Sequence, residues 1–152
     1  MTMASGMYGL TLEKFFNQGL TSFTGGVESE TLVKLMLAQD AYTPNFDTHD
    51  FRNDVTNEPG ASGSYAAGGS VLTTTELTVA SPAATQMKYM TDNVSWTGTT
   101  ITARGGVHYK NTGTAATDEL IGANAFAGDV VTSGGTFTYQ VHTNGHWYID
   151  YA

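Results

Sequence analysis

The side chains near the C terminus that could do chemistry are two histidines, His142 and His146. Their spacing would place both imidazoles on one face of a helix, where they could hold a metal ion. However, Asn144-Gly145 lies between two aromatic, β-branched runs, and this dipeptide predicts a hairpin with a type I′ turn. In that register His142 pairs with Trp147, so the two imidazoles point to opposite faces of the sheet. We therefore expect no metal at this pair, and we expect His142 to stack on Trp147.

A second candidate site is an acidic cluster in the first half of the chain. It consists of Asp47, His49, Asp50 and Asp54. Oxygen-rich loops can hold calcium, but this one lacks the regularly spaced carboxylates and the terminal glutamate of a helix–loop–helix calcium site. The pattern favours solvated carboxylates, with Thr48 or Asp47 capping a single helical turn over residues 48–55.

Motifs of the common enzyme classes are absent from the sequence. There is no cysteine, which excludes thiol catalysis, disulfides and Cys-ligated metals. The Gly-x-Ser-x-Gly nucleophile elbow is missing, and so are the glycine-rich motifs that bind the phosphates of nucleotides. Nothing in the spacing brings two carboxylates together for glycosidic cleavage. We therefore predict that the protein is not an enzyme and has no cofactor.

The charge balance also limits the partners that the chain can have. There are 14 acidic residues against 6 basic ones, a formal net charge of −8, and the isoelectric point is near 4.6. A chain of this sign repels phosphate, so nucleic acid is not an expected partner. The apolar runs fall far short of the ~20 residues that span a bilayer, and the first lysine, Lys14, comes too late for a secretory signal. We expect no membrane association.

The elements that must position these residues are strands and turns. At 152 residues, with 13% charged residues, 18 glycines and abundant threonine, the chain has the composition of one β-rich domain. We predict a mainly β fold over residues 1–152, an antiparallel sandwich or barrel of about seven strands with a short N-terminal helix. The related sequences at 96–100 and 111–115 are interpreted as two similar turns. The predicted strands are residues 31–38, 71–79, 85–90, 99–110, 120–126, 135–143 and 146–151.

Three segments of the first half have distinct patterns. Apolar residues of 8–23, among them Phe15 and Phe16, recur at helical spacing and predict a short helix that docks on the domain or on a second subunit. Residues 31–38 are nearly all apolar and predict the most buried strand. Residues 42–69 follow neither the helical nor the strand period, and a loop of this length is usually functional or ordered by a partner.

The aromatic residues of the predicted C-terminal hairpin occupy both of its faces. Phe137, Tyr139 and Tyr148 fall on one face, and Trp147 and Tyr151 fall on the other. A hairpin covered on one side only would not need this pattern. Either the hairpin lies inside the domain or its second face meets another chain, since tyrosine and tryptophan are enriched at interfaces.

Three stretches of the sequence resemble a family of small structural proteins from tailed bacteriophages. They are residues 32–58, which include Tyr-Thr-Pro-Asn-Phe-Asp-Thr-His-Asp-Phe at 42–51, residues 94–104, and residues 109–122. The likeness extends over most of the chain from Tyr8 to Thr138. The sequence departs from the family in two places, which have glycines and a histidine at 105–108 and more aromatic residues at 146–148.

The resemblance implies a non-enzymatic virion protein, made in the cytoplasm of the host bacterium. The first expectation is a capsid cement or decoration protein that contacts the major capsid protein and covers joints between capsomers. Alternatives are a tail or head–tail connector component and a receptor- or carbohydrate-binding module displayed on the virion. Self-association is expected, with a trimer favoured because it matches local three-fold positions of an icosahedral shell. The candidate contact residues are Phe15, Phe16, Tyr42, Phe46, Phe51, Trp96, Trp147, Tyr148 and Tyr151.

Overall fold

A computed structural model of the chain describes residues 3–11, 13, 33–79, 86–143 and 145–150. The fold is mainly β, with antiparallel sheets and very little helix, as the composition predicts. Ten strands are described over these residues. They are β1 (Gly6–Met7), β2 (Val33–Ala38), β3 (Ser70–Val71), β4 (Thr74–Val79), β5 (Gln86–Thr91), β6 (Val94–Thr99), β7 (Thr102–Lys110), β8 (Leu120–Val131), β9 (Gly135–Tyr139) and β10 (Trp147–Asp150).

A five-stranded sheet in the order β1-β8-β7-β2-β3 forms the centre of the fold. Its longest ladders join β2 to β7, with Val33 opposite Lys110 and Ala38 opposite Gly105, and join β7 to β8. A three-stranded sheet, β10-β5-β4, and a two-stranded sheet, β6-β9, complete the described strands. All of these pairings are antiparallel.

The five-stranded sheet is covered on both faces, and β2 shows this most clearly. Leu35 and Leu37 belong to one apolar cluster, whereas Met36 and Ala38 belong to the other. We call the first the tryptophan core and the second the tyrosine core. The near-continuous apolar run of β2 follows, because a strand buried on both faces does not alternate. The tryptophan core also holds Val33, Tyr65, Leu72, Trp96, Ile101, Ala103, Ile121, Phe137 and Tyr139, and the tyrosine core holds Met3, Tyr8, Tyr42, Val107, Tyr109, Leu120 and Ala123.

The predicted C-terminal hairpin is wrong in its pairing. A turn does form, since the Gly145 amide donates to the His142 carbonyl at 2.7 Å and Gly145 has a φ of 82°. However, the strands on either side of the turn join different sheets: β9 pairs with β6, and β10 pairs with β5, with Trp147 opposite Tyr89. Trp147 stacks on Tyr89, with ring centroids 5.7 Å apart, and the predicted stacking on His142 is replaced by this contact.

Two further local predictions are corrected. Residues 96–100, interpreted as a turn, lie mostly in β6, where a bulge between Trp96 and Thr99 accommodates Gly98 at a φ of 66°. The related residues 111–115 do lie outside the strands. Of the predicted N-terminal helix over residues 8–23, residues 9–11 and 13 are helical, and the rest of that segment is outside the described residues.

Candidate functional site

The segment 42–69 is bound along its length to the body of the domain. Phe51 forms an isolated antiparallel bridge with Glu119. Backbone hydrogen bonds continue on both sides of this bridge, from the Arg52 amide to the Asp118 carbonyl at 2.8 Å and from the Leu120 amide to the Asp50 carbonyl at 2.9 Å. The segment therefore behaves as a short additional strand here, although its sequence has no strand periodicity.

The helical turn expected in this segment is shorter than predicted and is capped differently. It is a 3₁₀ turn over Arg52–Asp54 that begins after Phe51. The Asp54 carboxylate accepts hydrogen bonds from the amides of Asp50 and Phe51, both at 3.0 Å. The expected cap at Thr48 or Asp47 is wrong, because the turn begins later, after Phe51. The amides of Asp47 and Thr48 donate to the Asn45 side chain at 3.1 and 3.2 Å, respectively.

A buried ion pair joins this segment to the chain before β8. The Arg52 guanidinium donates from Nε to the Asp118 carboxylate at 2.7 Å, and the Asp118 side chain is fully buried. The same carboxylate accepts the amide and the hydroxyl of Thr112 at 2.6 and 2.9 Å. Burial alone would raise the pKa of Asp118, but the bonds from Thr112 and Arg52 outweigh it and hold this pKa below its usual value.

A chain of hydroxyl groups lies beneath the segment in the tyrosine core. The Tyr8 and Tyr42 hydroxyls are 2.8 Å apart, and the Tyr42 hydroxyl is 3.1 Å from Nδ1 of His49. Tyr8 is fully buried and Tyr42 is 1% exposed. Burial raises the pKa of both phenols, so they stay protonated and act as hydrogen-bonding groups.

Tyr65 connects the far end of the segment to the central strand β2. Its hydroxyl accepts the Leu37 amide at 3.0 Å and donates to the Glu58 carboxylate at 2.7 Å. The same Glu58 oxygen accepts the Gly68 amide at 2.6 Å. Tyr65 is 1% exposed and makes a T-shaped contact with the Trp96 ring, so its bonds are made in the tryptophan core.

Tyr65→Phe is expected to lower the free energy of unfolding by about 2 kcal/mol, because the buried Leu37 amide and one side of the Glu58 carboxylate lose their partner. Tyr139→Phe is the matched control, since its hydroxyl makes one weaker bond to Asn124 at 3.2 Å. That control should cost about 1 kcal/mol or less. Urea denaturation of both variants measures the difference, and equal losses would contradict this role for the Tyr65 hydroxyl.

The four residues of the acidic cluster do not converge on one point. The Asp54 carboxylate faces backbone amides, and Nδ1 of His49 faces the Tyr42 hydroxyl and the Asn45 amide. Across the described part of the chain, no group of three or more histidine or carboxylate residues is arranged to hold a metal ion. Asp54 and His49 instead hold backbone amides of the segment in place.

The predicted contact residues fall into three groups. Tyr42 and Trp96 are each 1% exposed and lie inside the domain, where the Trp96 indole donates to the Ser70 hydroxyl at 2.7 Å. Their burial removes both from the candidate contact residues. Phe46, Phe51 and Trp147 are partly buried. Phe15, Phe16, Tyr151 and the side chain of Tyr148 lie outside what the structure describes.

A histidine pair that sequence reasoning missed lies where the three sheets meet. His108 on β7 is fully buried, and its ring centroid is 4.4 Å from that of His146, which precedes β10. Nε2 of His146 is 2.7 Å from the Thr91 hydroxyl, whereas neither ring nitrogen of His108 has a hydrogen-bond partner. The position of His108 between Val107 and Tyr109 in a strand is the signal that could have indicated its burial.

The pair is surrounded by aromatic rings from the smaller sheets. Trp147 lies 4.8 Å from His108, and Tyr139 lies 5.9 Å from it, measured between ring centroids. Gly122 leaves the space that the Trp147 ring occupies, since a Cβ there would collide with it. Residues 105–108 and 146–148 are thus in contact through His108, His146 and Trp147.

An open groove of about 530 Å³ lies between the loop 59–62 and the chain at 100–102 and 131–133. All of its lining residues are uncharged. Val131, at its edge, is 67% exposed, and the neighbouring Val130 is 40% exposed. A molecule bound in the groove would contact uncharged polar and apolar side chains, and the lining contains no histidine, carboxylate or cation that could act on it. No helix in the described ranges is both long enough and apolar enough to cross a membrane.

Comparisons of the chain with protein-family models, curated proteins and solved structures found no match.

Proposed function

We propose that this protein is a non-enzymatic structural subunit of a tailed-bacteriophage virion, and specifically a cement or decoration protein that stabilises the head through contacts with the major capsid protein. The sequence resemblance suggests the virion. One structural observation supports a building block: the polar side chains of segment 42–69 are used to fix that segment to its own domain. Tyr42 bonds to the Tyr8 hydroxyl, Arg52 to the Asp118 carboxylate, and Tyr65 to the Leu37 amide in β2.

This use of polar groups has a mechanical consequence for a cement protein. A subunit that holds a shell together must transmit load without rearranging, and each buried hydrogen bond from the segment to β2 or to the chain before β8 opposes rearrangement. The segment would therefore meet the capsid as a preformed surface. It need not pay the ordering entropy of a flexible arm.

The carbohydrate-binding alternative loses support from the position of Trp96. A ring that stacks on sugar needs an exposed face, and Trp96 is 1% exposed between Tyr65 and Phe137. The tail or connector alternative differs in location and copy number, and the following experiment distinguishes it.

The proposal is tested by quantitative mass spectrometry on heads and tails separated from disrupted virions of the phage that carries this gene. The major capsid protein and the tail-tube protein serve as internal standards for each fraction. A cement protein should be found in heads at a copy number close to that of the major capsid protein or of its local three-fold positions. Low copy number confined to tails would assign the chain to a connector or receptor-binding role, and absence from both fractions would overturn the virion proposal.

Self-association is part of the same proposal, with a homotrimer as the expected form. Light scattering coupled to size-exclusion chromatography, at tens of micromolar protein, should give about three times the 16.1 kDa chain mass. A monomer at that concentration would contradict self-association of the free protein.

A further inference from the structure

The buried imidazoles of His108 and His146 lie at the contact between the five-stranded sheet and the sheet β10-β5-β4. His108 belongs to β7 of the larger sheet. His146 is bound to the smaller sheet, because its amide donates to the Tyr89 carbonyl at 2.9 Å. One ring from each sheet thus forms a pair with centroids 4.4 Å apart and an interplanar angle of 66°.

This environment accepts neutral imidazoles but not charged ones. A proton on His108 would place a cation on a fully buried ring, where the nearby Gly122 backbone favours the proton less than burial opposes it. A proton on His146 would place a cation next to that ring. The titratable side chains that face the pair are the tyrosines Tyr89 and Tyr139. Within the described residues, no carboxylate hydrogen-bonds to or forms an ion pair with either ring.

The smaller sheet has fewer described polar contacts at the histidine pair than the larger one, so it is the part that would separate if a charged ring became hydrated. The described polar contact between it and the larger sheet at this point is one hydrogen bond, from the Asn124 side chain to the His146 carbonyl at 3.3 Å. The larger sheet, in contrast, is held by the long ladders of β2 with β7 and of β7 with β8. Separation of the sheets would expose the Trp147 ring, which fits against Gly122.

We propose that the His108–His146 pair is a proton-operated latch: while both rings are neutral the sheet β10-β5-β4 is closed on the five-stranded sheet, and protonation of either ring opens this contact. The proposal concerns the chain itself and does not depend on its location in a virion.

The direction of the pH dependence follows from the pKa values of the two rings. Burial, with the neighbouring His146 adding to it, outweighs the Gly122 backbone, which favours the proton, and holds the pKa of His108 well below its usual range. Burial lowers the pKa of His146 to about 4. In the open form each ring regains an ordinary pKa near 6.5. The open form therefore binds more protons between about pH 6.5 and pH 4, and the closed form is favoured most fully above this window.

Hydrogen exchange measured by mass spectrometry from pH 7 to pH 4.5, corrected for the intrinsic rate at each pH, tests the latch. Each histidine should shift the ratio of open to closed protein by up to tenfold per pH unit below about 6.5. Peptides covering 86–91 and 147–150 should lose protection by this factor as the pH falls, while peptides covering 33–38 and 105–110 keep their protection. Simultaneous loss in all four would mean global unfolding and would overturn the proposal.

Three variants make the test specific. His146→Gln can keep a hydrogen bond to Thr91 but does not ionise. His108→Phe places an uncharged ring among the aromatic residues. In each variant the hydrogen-exchange protection of residues 86–91 and 147–150 should depend less on pH than in the wild type. His142→Gln, which changes an exposed histidine, should leave this pH dependence unchanged. Full pH dependence in both His146→Gln and His108→Phe would overturn the latch.

If His108→Phe does not fold, the proposal is tested by His146→Gln and by the imidazole NMR signals of the wild-type protein. The His108 and His146 signals should keep neutral-ring shifts at pH 6 in the closed form. A normal titration of either ring near pH 6.5, with protection unchanged, would contradict the proposal.

Discussion

Gly69→Ala is expected to lower the free energy of unfolding by about 4 kcal/mol, which is among the largest effects of any single substitution in this chain. Gly69 has a φ of 68°, a conformation that costs an L-residue about 1–2 kcal/mol. In addition, a Cβ at this position would collide with the Leu35 carbonyl oxygen in β2. Backbone in a central strand cannot give way as a side chain would, so overpacking adds about 1–3 kcal/mol.

Gly134→Ala is the matched control for Gly69→Ala. Gly134 has nearly the same φ, 66°, but no atom lies within 4 Å of the position where its Cβ would be. This control should therefore show the conformational cost alone, about 1–2 kcal/mol. Urea denaturation of both variants gives the two losses. Equal values would mean that the close approach of Gly69 to β2, which starts the pairing of Leu35 with Ser70, does not constrain the fold.

The fold class and the central strand were predictable because they depend on the chain's own pattern. The run 31–38 has too few polar residues for a strand with one wet face, and the structure places apolar clusters on both sides of residues 33–38. Turn residues were also informative, since Gly145 adopts the positive φ expected of it. In both cases the deciding interactions are local or follow from composition.

Strand partners could not be predicted in the same way. The Asn144-Gly145 signal specifies a reversal of the chain, but it does not specify which strands lie beside the reversed segments. Trp147 pairs opposite Tyr89 and fits against Gly122, and neither residue is near it in the sequence. The cost of leaving such a ring in water outweighs the local advantage of a two-stranded hairpin, which is marginally stable at best.

The sequence also could not show which of the candidate contact residues are exposed. Tyrosine and tryptophan are common at interfaces, so Tyr42 and Trp96 were reasonable candidates from their type alone. Their burial depends on partners for their polar atoms, namely Tyr8 and His49 for the Tyr42 hydroxyl and Ser70 for the Trp96 indole. Those partners could not be predicted from the sequence, because residue type and spacing do not distinguish a hydrogen-bonded aromatic residue of the core from an exposed one.

Asp118→Ala is expected to lower the free energy of unfolding by about 3 kcal/mol. Its carboxylate is fully buried, and it satisfies Thr112 and Arg52 at once. Breaking a buried ion pair by removing one partner costs about 3–5 kcal/mol. The lower end applies because the Arg52 side chain is 25% exposed and can recover part of its hydration. The loss should appear in urea denaturation as an earlier midpoint, with the segment 50–54 the first to lose protection from hydrogen exchange.

Two further variants separate the buried charge from a surface effect. Asp129→Ala removes a carboxylate that is 47% exposed and 3.4 Å from Arg104, and it should cost less than about 1 kcal/mol. Asp118→Asn keeps the shape but not the charge. Because the pKa of Asp118 is lowered in the folded protein, its stabilising contribution is complete above about pH 4 and is lost as the pH falls below that value. The difference in unfolding free energy between wild type and Asp118→Asn should therefore shrink in acid, and a difference that stays constant with pH would show that ionisation of Asp118 does not stabilise the fold.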